Sequence, residues 1–302
     1  MGNKSDSRVS FDDHYAAIYA ERWPSLRTHL MQELPKIWRI NRNAFGFDSS
    51  VWSRANRDFD WAVDCVRDPE GLLAANHTLA DKGLEPLYKM DLASVVVARA
   101  LEVGDGMNVV DLCAAPGGKL LVLAESIGRG GQLVANELSR SRRFKMLAVM
   151  EQFLPSDQRH RISVSGWDAA KVGVHQEERF DRVLVDAPCS AEAHLLHRNT
   201  ELERWTPSRT RQLARRQYAI LCSALLAARS GGRIVYATCS LSPVENDGVI
   251  QRLIKRKGEQ VRILDYDSPL GQRTEFGWQI LPDHDDAGPA YFSVIEKRTL
   301  AP

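Results

Sequence analysis

Two short stretches concentrate the reactive side chains, Asp186-Ala-Pro-Cys189-Ser190 and Thr238-Cys239-Ser240. Each follows an apolar, strand-like run, Arg182-Val-Leu-Val185 and Arg233-Ile-Val-Tyr236. Open α/β sheets carry their active sites at the carboxyl ends of such strands. A third stretch, Val110-Asp-Leu-Cys-Ala-Ala-Pro-Gly-Gly-Lys119, reads as a strand, a glycine-bearing turn and the start of a helix. A thiol reacts as its thiolate, so two cysteines at neighbouring strand tips, beside such a turn, point to thiol chemistry next to a nucleoside cofactor. The bland alternative for any cysteine is a small buried hydrophobe. That alternative holds for Cys65, for Cys222 inside a helix, and for Cys113 as a thiol.

The turn Cys113, Ala114, Ala115, Pro116, Gly117, Gly118, Lys119 matches neither the GxGxxG dinucleotide fingerprint nor a P-loop. Gly117 and Gly118 let backbone N–H groups approach a ligand, and the helix start favours a negative group such as a carboxylate. A second strand ends at Asn136-Glu137, about 20 residues on, where an acidic side chain can accept from both ribose hydroxyls. A third is followed by Ser165-Gly-Trp-Asp168, where Asp168 can accept from an adenine amino group. Ribose, adenine and carboxylate without a pyrophosphate signature describe S-adenosyl-L-methionine. Taken singly, Glu137 and Asp168 are equally well helix caps; three acidic residues in register after three strands favour the cofactor.

The elements that must hold these groups alternate. Strands are expected near 107–112, 132–137, 162–165, 181–186, 233–237, 261–265 and 290–296, with helices near 119–127, 140–151, 210–229 and 244–257. Asp91 reads as the N-cap of a helix over 92–101. This rhythm predicts an α/β, Rossmann-like domain over 91–302: a mainly parallel seven-stranded sheet with helices on both faces and an antiparallel last pair. Residues 1–90 read as a small, mostly helical extension. Phe11, Tyr15, Ile18 and Tyr19 share a helix face, Trp23-Pro24 breaks the run, and Ser25 caps a second helix through Leu34. Residues 35–90, with Trp38, Trp52 and Trp61, read as a mixed segment whose tryptophans pack. The net charge of +1 excludes a global basic field, so nucleic acid would be held by local patches. Five cysteines, none in a CxxC pair, argue against a disulfide framework or structural zinc and for a reducing compartment. No apolar run spans a bilayer and the start lacks a secretory core. Cytoplasmic is the expected location, with mitochondrial the alternative.

Asp-Leu-Cys-Ala-Ala-Pro-Gly-Gly-Lys (111–119), Asp-Ala-Pro-Cys-Ser (186–190) and Tyr-Ala-Thr-Cys-Ser-Leu-Ser-Pro-Val-Glu-Asn (236–246) resemble the Sun-type RNA cytosine-5 methyltransferases, the NSUN and RsmB proteins. The resemblance covers about residues 88–300. Phe11-Asp-Asp-His-Tyr15, Arg22-Trp-Pro-Ser-Leu-Arg27 and Trp167-Asp168 are similar to the compact branch with the mitochondrial ribosomal-RNA and transfer-RNA members. Two departures stand out: Ala191 where many members have Gly, and Glu137 where Asp is common. The added RNA-binding domain of many members has no room here.

The resemblance implies a class I methyltransferase fold and methyl transfer from S-adenosylmethionine to carbon 5 of cytosine in rRNA or tRNA. It makes Cys239 the nucleophile at carbon 6 and Cys189 the group assisting proton removal and release; the bare sequence does not rank the two. Asp186 would bond the cytosine N3/N4 edge, near the methionine end of the cofactor. Lys119 would hold the cytosine or the methionine and lower a thiol pKa, and Arg142 would serve the cofactor. The target base must be unstacked, so single-stranded or flipped RNA is expected. Arg209, Arg211, Arg215 and Arg216, or Arg140, Arg142, Arg143 and Lys145, are candidate phosphate contacts. Residues 191–208, with His194, His197 and Trp205, read as a mobile loop beside Cys189. The i, i+3 histidines lack a third metal ligand, so no metal is expected. A protein or ribosomal-subunit partner that delivers the RNA fits the near-neutral charge. The rival readings are a catalytically silent RNA-binding scaffold of the same fold and a methyltransferase for an exocyclic amine.

Overall fold

The computed structural model describes residues 9–33, 37–44, 59–67 and 83–299. The expectations for Trp52 and Leu34 lie outside them. Within the rest, strands two to eleven residues long form one large mixed sheet. Its parallel part is β4 (Asn108–Asp111), β5 (Gln132–Asn136), β6 (Ile162–Ser165), β7 (Phe180–Asp186) and β8 (Ala228–Thr238). β9 (Val261–Ile263), β10 (Gln272–Arg273), β11 (Trp278–Ile280) and β12 (Ala290–Lys297) add antiparallel pairs. The order is β10-β11-β12-β8-β7-β4-β5-β6, with β9 also on β12. All seven expected strands are present, and β9 does pair antiparallel with β12. β10 and β11 are additional; at two and three residues they are too short to leave a periodic signal.

The strand runs are continuously apolar because both faces are covered. Along β8, Ile234 and Tyr236 face one core while Val235 and Ala237 face the other. β4 divides likewise, with Val109 in the first core and Val110 in the second. The chain order reverses at β4, which pairs with β5 on one side and β7 on the other. A cleft opens at the carboxyl ends of strands flanking such a switch point.

The described residues before Asp91 combine two helices with a small sheet. Helices Phe11–Tyr19 and Trp23–Met31 are joined by a 3-10 turn, Ala20–Arg22. The break falls at Ala20, with φ 49°, rather than at Pro24; Pro24 sits in the first helical turn, where its missing N–H costs nothing. Ser25 is therefore inside the helix and is not its cap. Next comes a three-stranded antiparallel sheet of β1 (Ile37–Ile40), β2 (Cys65–Val66) and β3 (Leu87–Met90), in the order β2-β1-β3. Trp61 packs on the large core under the Arg99 guanidinium, and Trp38 lies beneath Lys89. Asp91 caps helix Leu92–Arg99 as its type predicts, accepting from Ala93 N at 2.9 Å, and it also accepts from Gly288 N at 3.1 Å.

Residues 191–208 are not an open loop. They form helices Glu192–Leu196 and Asn199–Leu202 and lead into helix Pro207–Ala227. Leu195, Leu196 and Trp205 are buried against Phe11, Tyr15, Trp23, Leu26 and Leu30 of the two N-terminal helices. The Phe11 and Trp205 rings meet edge to face, 5.2 Å between centroids. Full burial of a side chain such as Leu26 contributes about 1.5–3 kcal/mol, so this third core fixes the segment beside Cys189.

Candidate active site

The site forms where β4, β5, β6, β7 and β8 end together. β7 and β8 run parallel with Asp186 opposite Ala237, and one further bond, Ala187 N to Ala237 O at 2.8 Å, carries the register past the strands. Cys189 and Cys239 therefore leave the sheet side by side. Their Sγ atoms lie 2.7 Å apart, and the Cys239 N–H points at Cys189 Sγ at 3.3 Å. Cys239 is exposed, whereas Cys189 is shielded. The hydrogen bond to Cys239, followed by burial, lifts the Cys189 thiol well above its ordinary pKa. The pair thus offers one accessible sulfur and one sulfur that keeps its proton.

Beside them Lys119 Nζ donates to Asp186 Oδ2 at 2.8 Å and to Ser94 Oγ at 3.2 Å. Burial works against the charge on Lys119, but the Asp186 carboxylate outweighs it and raises the lysine's pKa. Two cavities meet here. One, of about 680 Å³, is lined by Cys239, Lys119, Asp186, His194, His197 and the end of the second N-terminal helix, Leu30–Glu33. The other, of about 200 Å³, runs over Asp111 and the Ala114–Lys119 turn. Ser94, Asp91, Lys119 and Asp186 border both. A donor in the smaller cavity and an acceptor in the larger would face each other across Lys119 and Asp186.

The ends of β4 and β5, beside the smaller cavity, are acidic and under-satisfied. Asp111 is fully buried, pushed up to about 7 by burial and then by Asp186. Its Oδ1 accepts from Cys113 N at 3.1 Å, while Oδ2 has no partner among the described residues. Glu137, 4% exposed, accepts from Ser139 N at 2.8 Å and pairs with Arg142 at 3.0 Å. Arg142 also donates to Ala115 O at 2.6 Å, tying the Glu137 loop to the glycine turn. Buried acceptors without donors are costly, and a ligand with an amino group and ribose hydroxyls supplies the donors they lack. The residues therefore fit S-adenosylmethionine. The glycines serve the turn in a second way. Gly117 has φ 122°, and a Cβ there would lie 3.1 Å from Val149; one on Gly118 would lie 3.0 Å from the Tyr88 ring.

Asp168 stands at the β6 end of the same edge, paired with Arg216 of helix Pro207–Ala227, which holds its carboxyl below the usual range. Arg216 is thus committed to Asp168. Arg143 is likewise committed, donating to Glu137 O at 2.6 Å, so each expected phosphate cluster gives residues to the cofactor edge instead. Arg209, Arg211 and Arg215 are exposed. Cys113 is held well above the ordinary thiol range by burial, and Cys65 is pushed up to about 12 by burial, as suits structural thiols. His197 Nε2 lies 3.1 Å from Leu30 O. Among the described residues no cluster of His, Cys, Asp and Glu could hold a metal ion, and no helix is long and apolar enough to cross a membrane.

Sequence reasoning missed several supports. Asn136 is fully buried; its Nδ2 donates to Leu112 O (2.9 Å) and Trp167 O (3.1 Å), while Oδ1 accepts from Ser165 Oγ (2.9 Å) and Trp167 N (2.8 Å). One amide thus joins the ends of β4, β5 and β6. Tyr15, Glu192, Glu245, Ser190, Ser240 and Gln217 were also given no role. Their only signals were a glutamate beside alanines at 192 and the place of Glu245 in the 236–246 motif.

The family profile described as 16S rRNA methyltransferase RsmB/F matches residues 98–296. The 5-cytosine rRNA methyltransferase NSUN4 of Bos taurus is 33% identical in an alignment that covers 84% of this chain and 75% of that protein. A mitochondrial tRNA (cytosine(34)-C(5))-methyltransferase of Danio rerio is 32% identical over 266 residues, covering 81% of this chain and 71% of its own length. The crystal structure of NSun6 from Pyrococcus horikoshii with SFG superposes with a TM-score of 0.75 at 18% identity, over 96% of this chain and 98% of that one. It shares the fold.

Proposed function

The chain belongs to the RsmB/F family and is an S-adenosylmethionine-dependent RNA cytosine-5 methyltransferase; from that premise we propose that it works through a covalent adduct of Cys239, released with the help of Cys189. The observation that carries this reading is the pair itself, an exposed Cys239 sulfur 2.7 Å from a shielded, protonated Cys189. Carbon 5 of cytosine is a poor nucleophile until a thiolate adds at carbon 6. The Cys239 thiolate forms that bond and pushes the ring electrons toward carbon 5. Asp186, held by Lys119, bonds the N3/N4 edge of the base. S-adenosylmethionine, when bound, supplies the methyl group. With Cys189 assisting, the carbon 5 proton is given up to solvent, the electrons of that bond restore the carbon 5–carbon 6 double bond, and the carbon 6–sulfur bond breaks to return the Cys239 thiolate.

In this reading Glu137 holds the ribose, Asp111 and the 113–119 turn hold the methionine, Arg142 braces Glu137, and Asp168 faces the adenine. Residues 91–302 form the catalytic domain and residues 1–90 its extension. The substrate is rRNA or tRNA, with a protein or ribosomal-subunit partner to deliver it. The mitochondrial name of the Danio rerio relative weighs toward a mitochondrial rather than a cytoplasmic location.

Wild type, Cys239→Ala and Cys189→Ala, incubated with S-adenosylmethionine and bulk RNA, test the mechanism. Expected are 5-methylcytosine from wild type, neither product nor adduct from Cys239→Ala, and a denaturant-resistant protein–RNA adduct from Cys189→Ala. The reverse pattern would exchange the two roles.

A further inference from the structure

We propose that Tyr15, Glu192 and Glu245 form one positioning unit for the Cys189 and Cys239 loops, which makes the first helix a working part of the thiol pair. This rests on the pairing of the two cysteines proposed above. Glu192 and Glu245 are both fully buried, and among the described residues neither forms an ion pair. Between them lie Ser190 and Ser240, the residues that follow the two cysteines. Ser190 Oγ contacts Glu192, Glu245 Oε1 at 2.5 Å and Ser240 Oγ at 2.9 Å. Ser240 Oγ reaches Glu192 Oε1 at 3.1 Å and Glu245 Oε1 at 3.3 Å.

Each hydroxyl has one hydrogen. The two hydroxyl hydrogens cannot serve all five of these contacts, and a carboxyl proton supplies a third hydrogen. It sits on Glu245, which burial and then Glu192 push up to about 7. Glu192 also accepts the Tyr15 hydroxyl and Leu241 N at 3.0 Å. Glu245 accepts Ser190 N at 3.1 Å and Gln217 Nε2 at 2.7 Å, and Gln217 in turn donates to Pro188 O at 3.0 Å. Each carboxylate thus holds the backbone of one cysteine loop and is bridged to the other loop by the serines. Tyr15 supplies a donor from outside the sheet. Tyr19 adds another from the same helix, its hydroxyl donating to Leu241 O at 2.8 Å.

The separation of two thiols is readable without RNA or cofactor. In a glutathione buffer, one glutathione disulfide oxidises the pair to a Cys189–Cys239 disulfide and leaves two reduced glutathiones. The equilibrium constant measures how well the loops hold the sulfurs together, and peptide mapping separates this bond from other thiols. Tyr15→Phe and Glu192→Gln should each lower it about tenfold, the worth of one hydrogen bond to a charged group. Both should reduce kcat while leaving KM for S-adenosylmethionine unchanged. Leu26→Ala, a cavity in the same aromatic core, should lower Tm at least as much as Tyr15→Phe yet leave the thiol equilibrium at the wild-type value. An unchanged equilibrium in Tyr15→Phe, or equal losses in Tyr15→Phe and Leu26→Ala, would overturn the proposal. If wild type made no 5-methylcytosine while the thiol equilibria behaved as expected, the mechanism would fail and the positioning unit would stand.

Discussion

The cofactor edge and the thiol edge of this site lie on one sheet but are built differently. At the ends of β4 and β5 each group is held mostly by its own loop: Cys113 N on Asp111, Ser139 N on Glu137, Arg142 across to Ala115. At the ends of β7 and β8 the reactive sulfurs sit on loops anchored from far away, by Tyr15 across 177 residues and by Gln217 across 28. Local support can be deleted one contact at a time. Remote support makes the thiol edge depend on the whole fold, and the two edges should fail in different ways.

The sharpest break is chemical. Cys239→Ala should reduce methylation by at least about 10³-fold while cofactor affinity, measured by calorimetry, stays within twofold. Glu137→Ala should do the converse, weakening S-adenosylmethionine about tenfold to a hundredfold with the thiol pair unaltered, since it removes a buried charged acceptor. Asn136→Ala should cost about 2–4 kcal/mol in urea unfolding, because four hydrogen bonds made by one buried amide are lost together. Gly117→Ala should cost about 1–3 kcal/mol, from a side chain at φ 122° and its contact with Val149.

The smallest effect is a slope. Glu245 is raised above the usual carboxyl range, so the folded chain binds its proton more tightly than the unfolded chain does. Its contribution is complete below the unfolded carboxyl pKa and is lost as pH rises to about 7. Asp111 acts in the same direction over the same window, through burial at the cofactor edge. Glu245→Gln should flatten part of the decline in unfolding free energy between about pH 4.5 and 7; an unaltered slope would leave Asp111 as its source.

This contrast also explains what was legible in the sequence. The parallel sheet was readable because β4, β5, β7 and β8 are runs with both faces buried, and Asp91 was readable because capping is local. Asp111, Glu137, Lys119 and both cysteines stood in short motifs at strand ends. Asn136 was hidden because its four bonds go to two other segments, at Leu112 and at Ser165 and Trp167, and a buried amide has no spacing of its own. Tyr15 and Glu192 were hidden because their bond joins positions 177 apart, while Tyr15 satisfied the apolar face of its helix equally well. The segment 191–208 read as an open loop because its helices are four or five residues long and gain their order from the N-terminal aromatics.

β12, the final strand, pairs with β8 along six residues, from Tyr291 opposite Thr238 to Glu296 opposite Arg233. The strand that leads to Cys239 is thus flanked by β12, while Ser190 and Ser240 contact Glu192, which accepts the Tyr15 hydroxyl of the first helix. These contacts join distant stretches of the sequence, so the thiol edge closes through long loops and should order later in folding than the cofactor edge, whose supports are local.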